Sequence, residues 1–276
     1  MAAFFIALVG SQIAVASQLK ISSLEVGFGK HLRLGVQTAC QIKSLLLQLD
    51  FIMGNSSQRV AILGASRGLG RAFCHRIWHD SENCKLLAMA RKKELLSELR
   101  DQLNEVKKHT DKKKGLLECF ACDFSREDGQ IQALHQLELF LPERIFYFAG
   151  GGPYGAFEKK AWKDHVWAWT VTFLFAARVV HWAMQHNIEQ VVLIGSAISE
   201  SSGDPRAASY SSAKHALLGL IRSIHLENPA FDLRVFSPGY MDTDLLPANA
   251  IPRDTKEVAS PEEVAEVLWK WSNQDF

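Results

Sequence analysis

Tyr210 and Lys214, in the string Ser209-Tyr-Ser-Ser-Ala-Lys-His215, carry a chemistry that neither has alone. Spaced one helical turn apart, they share a face if the segment is helical. A phenol titrates near pH 10, too high for a proton donor at neutral pH. An ammonium beside it favours the phenolate and brings it toward the working range. The pair therefore reads as a general acid and its tuner. The plain alternative is an amphipathic helix with a surface lysine, and what decides between them is the rest of the chain.

The second chemical feature is the glycine turn Leu63-Gly-Ala-Ser-Arg-Gly-Leu-Gly70. It follows directly on an apolar run, Arg59–Leu63, and precedes an amphipathic segment. Gly64, Gly68 and Gly70, with Ser66, Arg67 and Leu69 between them, suit a strand–turn–helix junction whose backbone comes close to a pyrophosphate. The helix N-terminus favours that charge. A carboxylate at the end of the next strand would accept a bond from an adenosine ribose and imply NAD; a cation there would imply NADP. The sequence reads Ala88-Met-Ala-Arg-Lys-Lys93, with no Asp or Glu. Arg91 and Arg67 together suit a 2′-phosphate, so NADP(H) is expected in preference to NAD(H).

These groups need a frame, and the hydrophobic pattern supplies one. Short apolar runs at Arg59–Leu63, Lys85–Ala90, Leu116–Cys122, Arg144–Ala149, Gln190–Gly195 and Leu233–Ser237 read as strands. Between them Leu69–His79, Lys92–Lys108, Gly129–Phe140, Ala161–His186 and Tyr210–Asn228 have helical periodicity, and Pro261 opens a last helix with Ser260 as its cap. Nearly continuous apolar strands alternating with helices predict an α/β fold: a doubly wound parallel sheet of the Rossmann type, in three layers.

Composition narrows the function. The chain has 276 residues, a 47% hydrophobic fraction and a net charge of +1, which suits one sizeable domain plus an extension and gives no nucleic-acid footprint. Five cysteines, an odd and sparse set, fit a reducing compartment, and a cytoplasmic location is expected. Cys119 and Cys122 form a C-x-x-C, but residues three apart in a strand point to opposite faces, and no second pair completes a zinc site. His75 and His79 have metal-ligand spacing without a third ligand, so no metal is expected. Residues 1–52 break the pattern and read as an N-terminal extension, with the domain spanning 53–276. Ala2–Ala16 is apolar, yet no positive charge precedes it and Gln12 interrupts it, so membrane contact is not expected; an anchor is the minor alternative. Met53 is a second candidate start.

Taken together these residues resemble the short-chain dehydrogenase/reductase superfamily in its single-domain form. The glycines have its G-x-x-x-G-x-G spacing and Tyr210-x-x-x-Lys214 its Y-x-x-x-K. Ser196 ends the fifth strand where that family places a catalytic serine, with Ser199 as rival; the Ser196-to-Tyr210 interval of 14 residues is one longer than usual there. Ser237-Pro-Gly-Tyr-Met-Asp-Thr243 resembles its P-G-x-x-x-T segment, which assigns Pro238, Gly239 and Thr243 to the nicotinamide half. Asp123 stands where the family contacts adenine. The resemblance implies a reduction in which Tyr210 protonates the carbonyl oxygen, Ser196 donates to it, and Lys214 tunes Tyr210 and bonds ribose hydroxyls; the same groups serve the reverse direction. The substrate is then a small carbonyl or alcohol, and the long helix rich in Trp and Phe implies a homodimer.

Three departures stand out. The family's N-N-A-G reads Tyr147-Phe148-Ala149-Gly150, which keeps Ala149 and Gly150 for close approach to the cofactor but loses both asparagines. A helical asparagine that supports a proton-relay water aligns with Thr170. The chain ends soon after the last helix, so a seventh strand is not expected. A nucleotide-binding sensor of the same fold with weak chemistry is the competing reading. Pocket walls are expected from Gly151–Gly155, Ile198–Arg206 and Tyr240–Ile251, including Tyr154 and Tyr240.

Overall fold

The computed structural model describes residues 58–80, 84–108, 115–200, 203, 205–250, 253–254 and 257–275. The N-terminal extension, with Ala2–Ala16, Cys40 and Met53, lies outside the described residues. Strands β1 (Arg59–Leu63), β2 (Lys85–Ala90), β3 (Leu116–Ala121), β4 (Arg144–Tyr147), β5 (Gln190–Ile194) and β6 (Asp232–Phe236) alternate with helices α1 (Gly68–Asp80), α2 (Lys93–Lys108), α3 (Glu127–Phe140), α4 (Trp162–Ala183), α5 (Ala208–Leu226) and α6 (Pro261–Ser272). All strand pairs are parallel, in the order β3-β2-β1-β4-β5-β6. Among the described residues the sheet stops at β6; beyond it, Met241 makes one isolated parallel bridge to Ala259.

The layering follows from the period of two along each strand. In β1, Ala61 and Leu63 face α3, α4 and α5, whereas Val60 and Ile62 face α1, α2 and α6. Both faces are covered, which is why β1 from Val60 onward has no exposed surface. The chain leaves β1 toward β2 on one side and β4 on the other. Their carboxyl ends therefore diverge and open a crevice at the reversal point of the strand order.

Several boundaries differ from the pattern-based ones for local reasons. β4 ends at Tyr147, not Ala149, because the N–H groups of Phe148 and Ala149 both turn to the Leu63 carbonyl, at 2.7 and 3.0 Å. α3 begins at Glu127, where Glu127 and Asp128 complement the positive end of the helix. The segment expected as one helix over Ala161–His186 is broken: Thr170–Leu174 forms a π-helical turn between two α-helical stretches. α4 is long and apolar enough to cross a membrane by length and composition, but half of it is buried within the protein. At α6 the expected cap is present as a reciprocal Ser260–Glu263 box with Pro261 at the first turn.

The amino-terminal edge of the sheet is sealed by Arg144. Its guanidinium donates to Gln190 Oε1, to Asn273 Oδ1 at 2.7 Å, and to the Ser272 carbonyl and hydroxyl, both at 3.0 Å. Gln190 in turn donates to Asp232 and to the Ser272 carbonyl. These bonds tie β4, β5 and β6 to the end of α6.

Candidate active site

The crevice holds a cavity of about 390 Å³ between the glycine turn, the carboxyl end of β5 and the face of α5. The glycine turn is fixed from below: the N–H groups of Gly64 and Ala65 both donate to Met89 O, at 2.8 and 3.1 Å. Gly64 has φ +100, and a Cβ there would lie 2.5 Å from Ala149 N, so the turn and the loop after β4 could not come together with any larger residue. At Gly70 a Cβ would lie 2.2 Å from Gly64 O. The first-turn N–H groups of α1, which lack intrahelical acceptors, thus sit at the cavity wall. Gly64, Ser66, Arg67, Gly68, Leu69 and Gly70 all line it, as do Arg91, Asp123, Ala149, Gly150, Pro238, Gly239 and Thr243. Asp123 is held by its own turn, accepting from Ser125 N–H at 3.0 Å and Ser125 Oγ at 2.7 Å.

The two arginines are present but engaged. Arg67 pairs with Asp244 at 2.8 Å, both side chains being largely exposed. Arg91 lies with its guanidinium 5.5 Å from the centre of the Trp167 ring. Both partners were unforeseen in sequence, because they come from α4 and from the segment after β6, far along the chain.

At the other end of the cavity, α5 presents Tyr210 and Lys214 together, with Nζ 5.5 Å from the centre of the tyrosine ring. The Tyr210 hydroxyl is hydrogen-bonded to Ser196, and Ser196 is buried at the end of β5. The rival, Ser199, spends its hydroxyl on the Ser196 carbonyl at 2.6 Å and is turned inward. Lys214 is 3% exposed and donates to the Ile194 carbonyl at 2.5 Å. An ammonium has three protons, so two remain directed away from that carbonyl.

Electrostatics correct one expectation. Lys214 was expected to lower Tyr210, but burial pushes Tyr210 up to about 12, against the smaller downward pull of the Ser196 hydrogen bond. Burial independently pushes Lys214 down, to about 7, because an ammonium away from water is disfavoured. The pair therefore shares protons near neutrality more readily at the lysine than at the phenol.

Thr170 is the other correction. Its hydroxyl donates back along the helix to Val166 O at 2.9 Å and is absent from the cavity wall. Thr172, two residues on, has no exposed surface and bonds the backbone of Gly151. The π turn starts at Thr170, and the threonine inside it, Thr172, is the one that meets the loop after β4. Both missing asparagine positions are filled from the core: Tyr147 donates to Val171 O at 2.5 Å, and Phe148 packs with its ring centre 5.3 Å from that of Phe73.

The expected substrate walls are partly present. Gly151 abuts Trp167 and Leu245, where a Cβ would meet both at 3.3 Å, and Gly152 abuts Tyr210 at 3.1 Å by the same measure. Residues 201, 202, 204 and 251 of the other walls lie outside the described residues. Phe157 is exposed and lies against His165 rather than in the cavity. Cys122 is buried, and burial raises its thiol to about 12, so it is a packed, unreactive group; the described cysteines are all free.

The fold and this site match known proteins. The family model for short chain dehydrogenase matches residues 58–252, and the chain belongs to that family of nicotinamide-dependent oxidoreductases. Among solved structures, an alcohol dehydrogenase from the archaeon Thermococcus sibiricus complexed with 5-hydroxy-NADP is similar with a TM-score of 0.69 and 21% identity, covering 80% of this chain and 92% of that one. A short-chain dehydrogenase from Sphingobium yanoikuyae in complex with NADPH has a TM-score of 0.67 and 20% identity, covering 78% and 84%. A short chain dehydrogenase from Burkholderia cenocepacia in complex with NADP has 0.65 and 19%, covering 76% and 88%. No curated protein sequence matches the chain.

Proposed function

We propose that the protein is an NADP(H)-dependent oxidoreductase of carbonyl or alcohol groups in which Tyr210 is the general acid and base. The observation that carries this is the convergence of Tyr210, Ser196 and Lys214 on one cavity wall opposite a glycine turn. The fit to a dinucleotide is supported by the crevice itself, whose Gly64 and Gly70 leave no room for a Cβ and whose wall includes a helix N-terminus. The nicotinamide, when bound, supplies the hydride acceptor or donor.

The chain's own residues do the rest. Ser196 and Tyr210 present two hydroxyls toward one substrate oxygen, which stabilises charge as it develops there. Tyr210 gives up its proton to that oxygen in reduction and takes it back in oxidation. Lys214, at about 7, replaces the proton at Tyr210 and uses its remaining N–H groups to orient a ribose. Leu245 and Trp167, close against Gly151, form the wall at this end of the cavity. Arg67 and Arg91 favour a 2′-phosphate and hence NADP(H).

A cytoplasmic homodimer belongs to the same proposal. Free thiols support a reducing compartment. Trp162, Val166 and Trp169, exposed at helical spacing on α4, support a face that meets a second copy. The sensor reading draws on one observation: Tyr147 and Phe148 fill the asparagine positions with core rings. NADPH oxidation over a panel of aldehydes and ketones decides between them. Turnover above a Tyr210→Phe control is expected; tight NADPH binding with no turnover above that control would leave the sensor.

A further inference from the structure

We propose that Tyr147 and Thr172 form a clasp that positions the loop against the catalytic lysine: Tyr147 fixes the π turn of α4, and Thr172, so presented, holds Gly150-Gly151 against Lys214. Thr172 is a positioning residue, and its importance for turnover rests on the oxidoreductase reading above.

Hydrogen-bond accounting along α4 carries the argument. The Thr170 N–H bonds Val166 O and Trp167 O, and the Phe175 N–H bonds Thr170 O, five residues back. The ladder thus passes over the Val171 carbonyl. A buried carbonyl left without a donor is costly. The Tyr147 hydroxyl, delivered from the end of β4, donates to it at 2.5 Å. Burial raises the Tyr147 phenol well above its usual range, so it stays protonated and remains a donor.

One inserted residue turns a helix by about 100°. Thr170, at the start of the π turn, bonds back along its own helix, and Thr172, within it, is fully buried against the loop. Thr172 Oγ1 accepts from Gly151 N–H at 3.0 Å and donates to Gly151 O at 3.1 Å. One hydroxyl therefore satisfies both backbone groups of one loop residue. The neighbouring Gly150 lies between the two: a Cβ there would be 3.4 Å from Thr172 Oγ1 and 3.5 Å from Lys214 Nζ. The backbone against which Lys214 rests is thus held by Thr172, and Thr172 faces it because Tyr147 stabilises the π turn.

The test uses the full chain and the substitutions Thr172→Val, Thr172→Ser, Tyr147→Phe and Thr170→Val. Hydrogen exchange is measured on the peptide containing Gly150-Gly151 in protein without added nucleotide. Thr172→Val keeps the shape and removes both bonds, and exchange there is expected to rise about 10-fold, the size of one lost hydrogen bond. Thr172→Ser and Thr170→Val should match the parent, and Tyr147→Phe should raise exchange both there and across Thr170–Phe175. With turnover as readout, Thr172→Val should lower kcat/KM by about 10- to 100-fold and displace a limb of its pH profile, with Thr172→Ser restoring both. Unchanged exchange and an unchanged pH profile in Thr172→Val, or equal effects from Thr170→Val, would overturn the clasp. Should Thr172→Val fail to fold, unchanged exchange in Tyr147→Phe overturns it equally. Absence of turnover in the parent would instead sink the oxidoreductase reading, and the exchange data would still decide the clasp.

Discussion

Two buried cations stand at opposite ends of the same sheet, and they are treated in opposite ways. Arg144, at the amino ends of β4 and β5, is 5% exposed and spends its donors on Gln190, Ser272 and Asn273. Burial lowers it only to about 10, so it remains charged at neutral pH. Lys214, at the carboxyl end of β5, is 3% exposed and bonds one carbonyl. Burial takes it to about 7. The saturated cation ties strands to a helix; the other, with one carbonyl acceptor, lines the cavity. Unspent donors, more than burial as such, separate the working edge of the sheet from the structural one.

The sharpest way to break this contrast is at the phenol that Lys214 serves. Tyr210→Phe should lower carbonyl-dependent NADPH oxidation by about 10³-fold, within the range of general acid catalysis. NADPH binding, followed by fluorescence, should change little. At the other edge, Arg144→Ala should cost about 3 kcal/mol in urea unfolding, since it strands acceptors on buried Gln190 and Ser272 and loses the bond to Asn273. Specific activity of the remaining folded protein should be unaffected. A loss of activity greater than the loss of folded protein would break the division between the two edges.

Lys214 also makes a pH prediction with a definite sign. Its folded pKa, about 7, lies below the unfolded value of about 10.4. Between those values the unfolded chain binds more protons, so stability rises with pH. Burial of Tyr210 acts the other way above about pH 10, where the folded state, titrating at about 12, holds the extra proton. In protein without nucleotide, unfolding free energy should rise by about 3 kcal/mol from pH 7 to 10 relative to Lys214→Met. A parallel pH dependence in parent and variant would remove Lys214 as a poised group.

Smaller effects concern the cofactor. Arg91→Ala and Arg67→Ala should each weaken NADPH binding about 10-fold and leave NADH nearly unchanged, since a phosphate contact is lost only for the former. Equal effects on both nucleotides would remove the 2′-phosphate assignment. Smallest of all, Asp244→Asn should tighten NADPH binding about 2-fold by releasing Arg67 from an exposed ion pair, and the gain should fade with salt.

Much of this site was legible before any coordinates. Gly64, Gly68 and Gly70, Tyr210 and Lys214 are read from spacing, because a strand–turn–helix and one helical turn are local geometries that spacing alone defines. The placement of Ser196 and Ser199 was not local. It depended on how the chain leaves β5, and Ser199 proved to be hydrogen-bonded inward to Ser196 O. Thr170 misled for a related reason: periodicity counts residues and cannot see a π turn whose stabilising donor, Tyr147, comes from another strand.

By itself the sequence determined the alternation of strands and helices, the parallel sheet, the glycine turn and the Tyr210–Lys214 pair. Each follows from short-range periodicity or from a motif within one element. Only the tertiary structure decided the pairing of Arg67 with Asp244, the placement of Arg91 against Trp167, the hold of Thr172 on Gly151, and the proton affinities at the site. Those depend on burial and on neighbours brought together from distant segments. Burial set the phenol and the ammonium moving in directions that their mutual attraction alone would not predict.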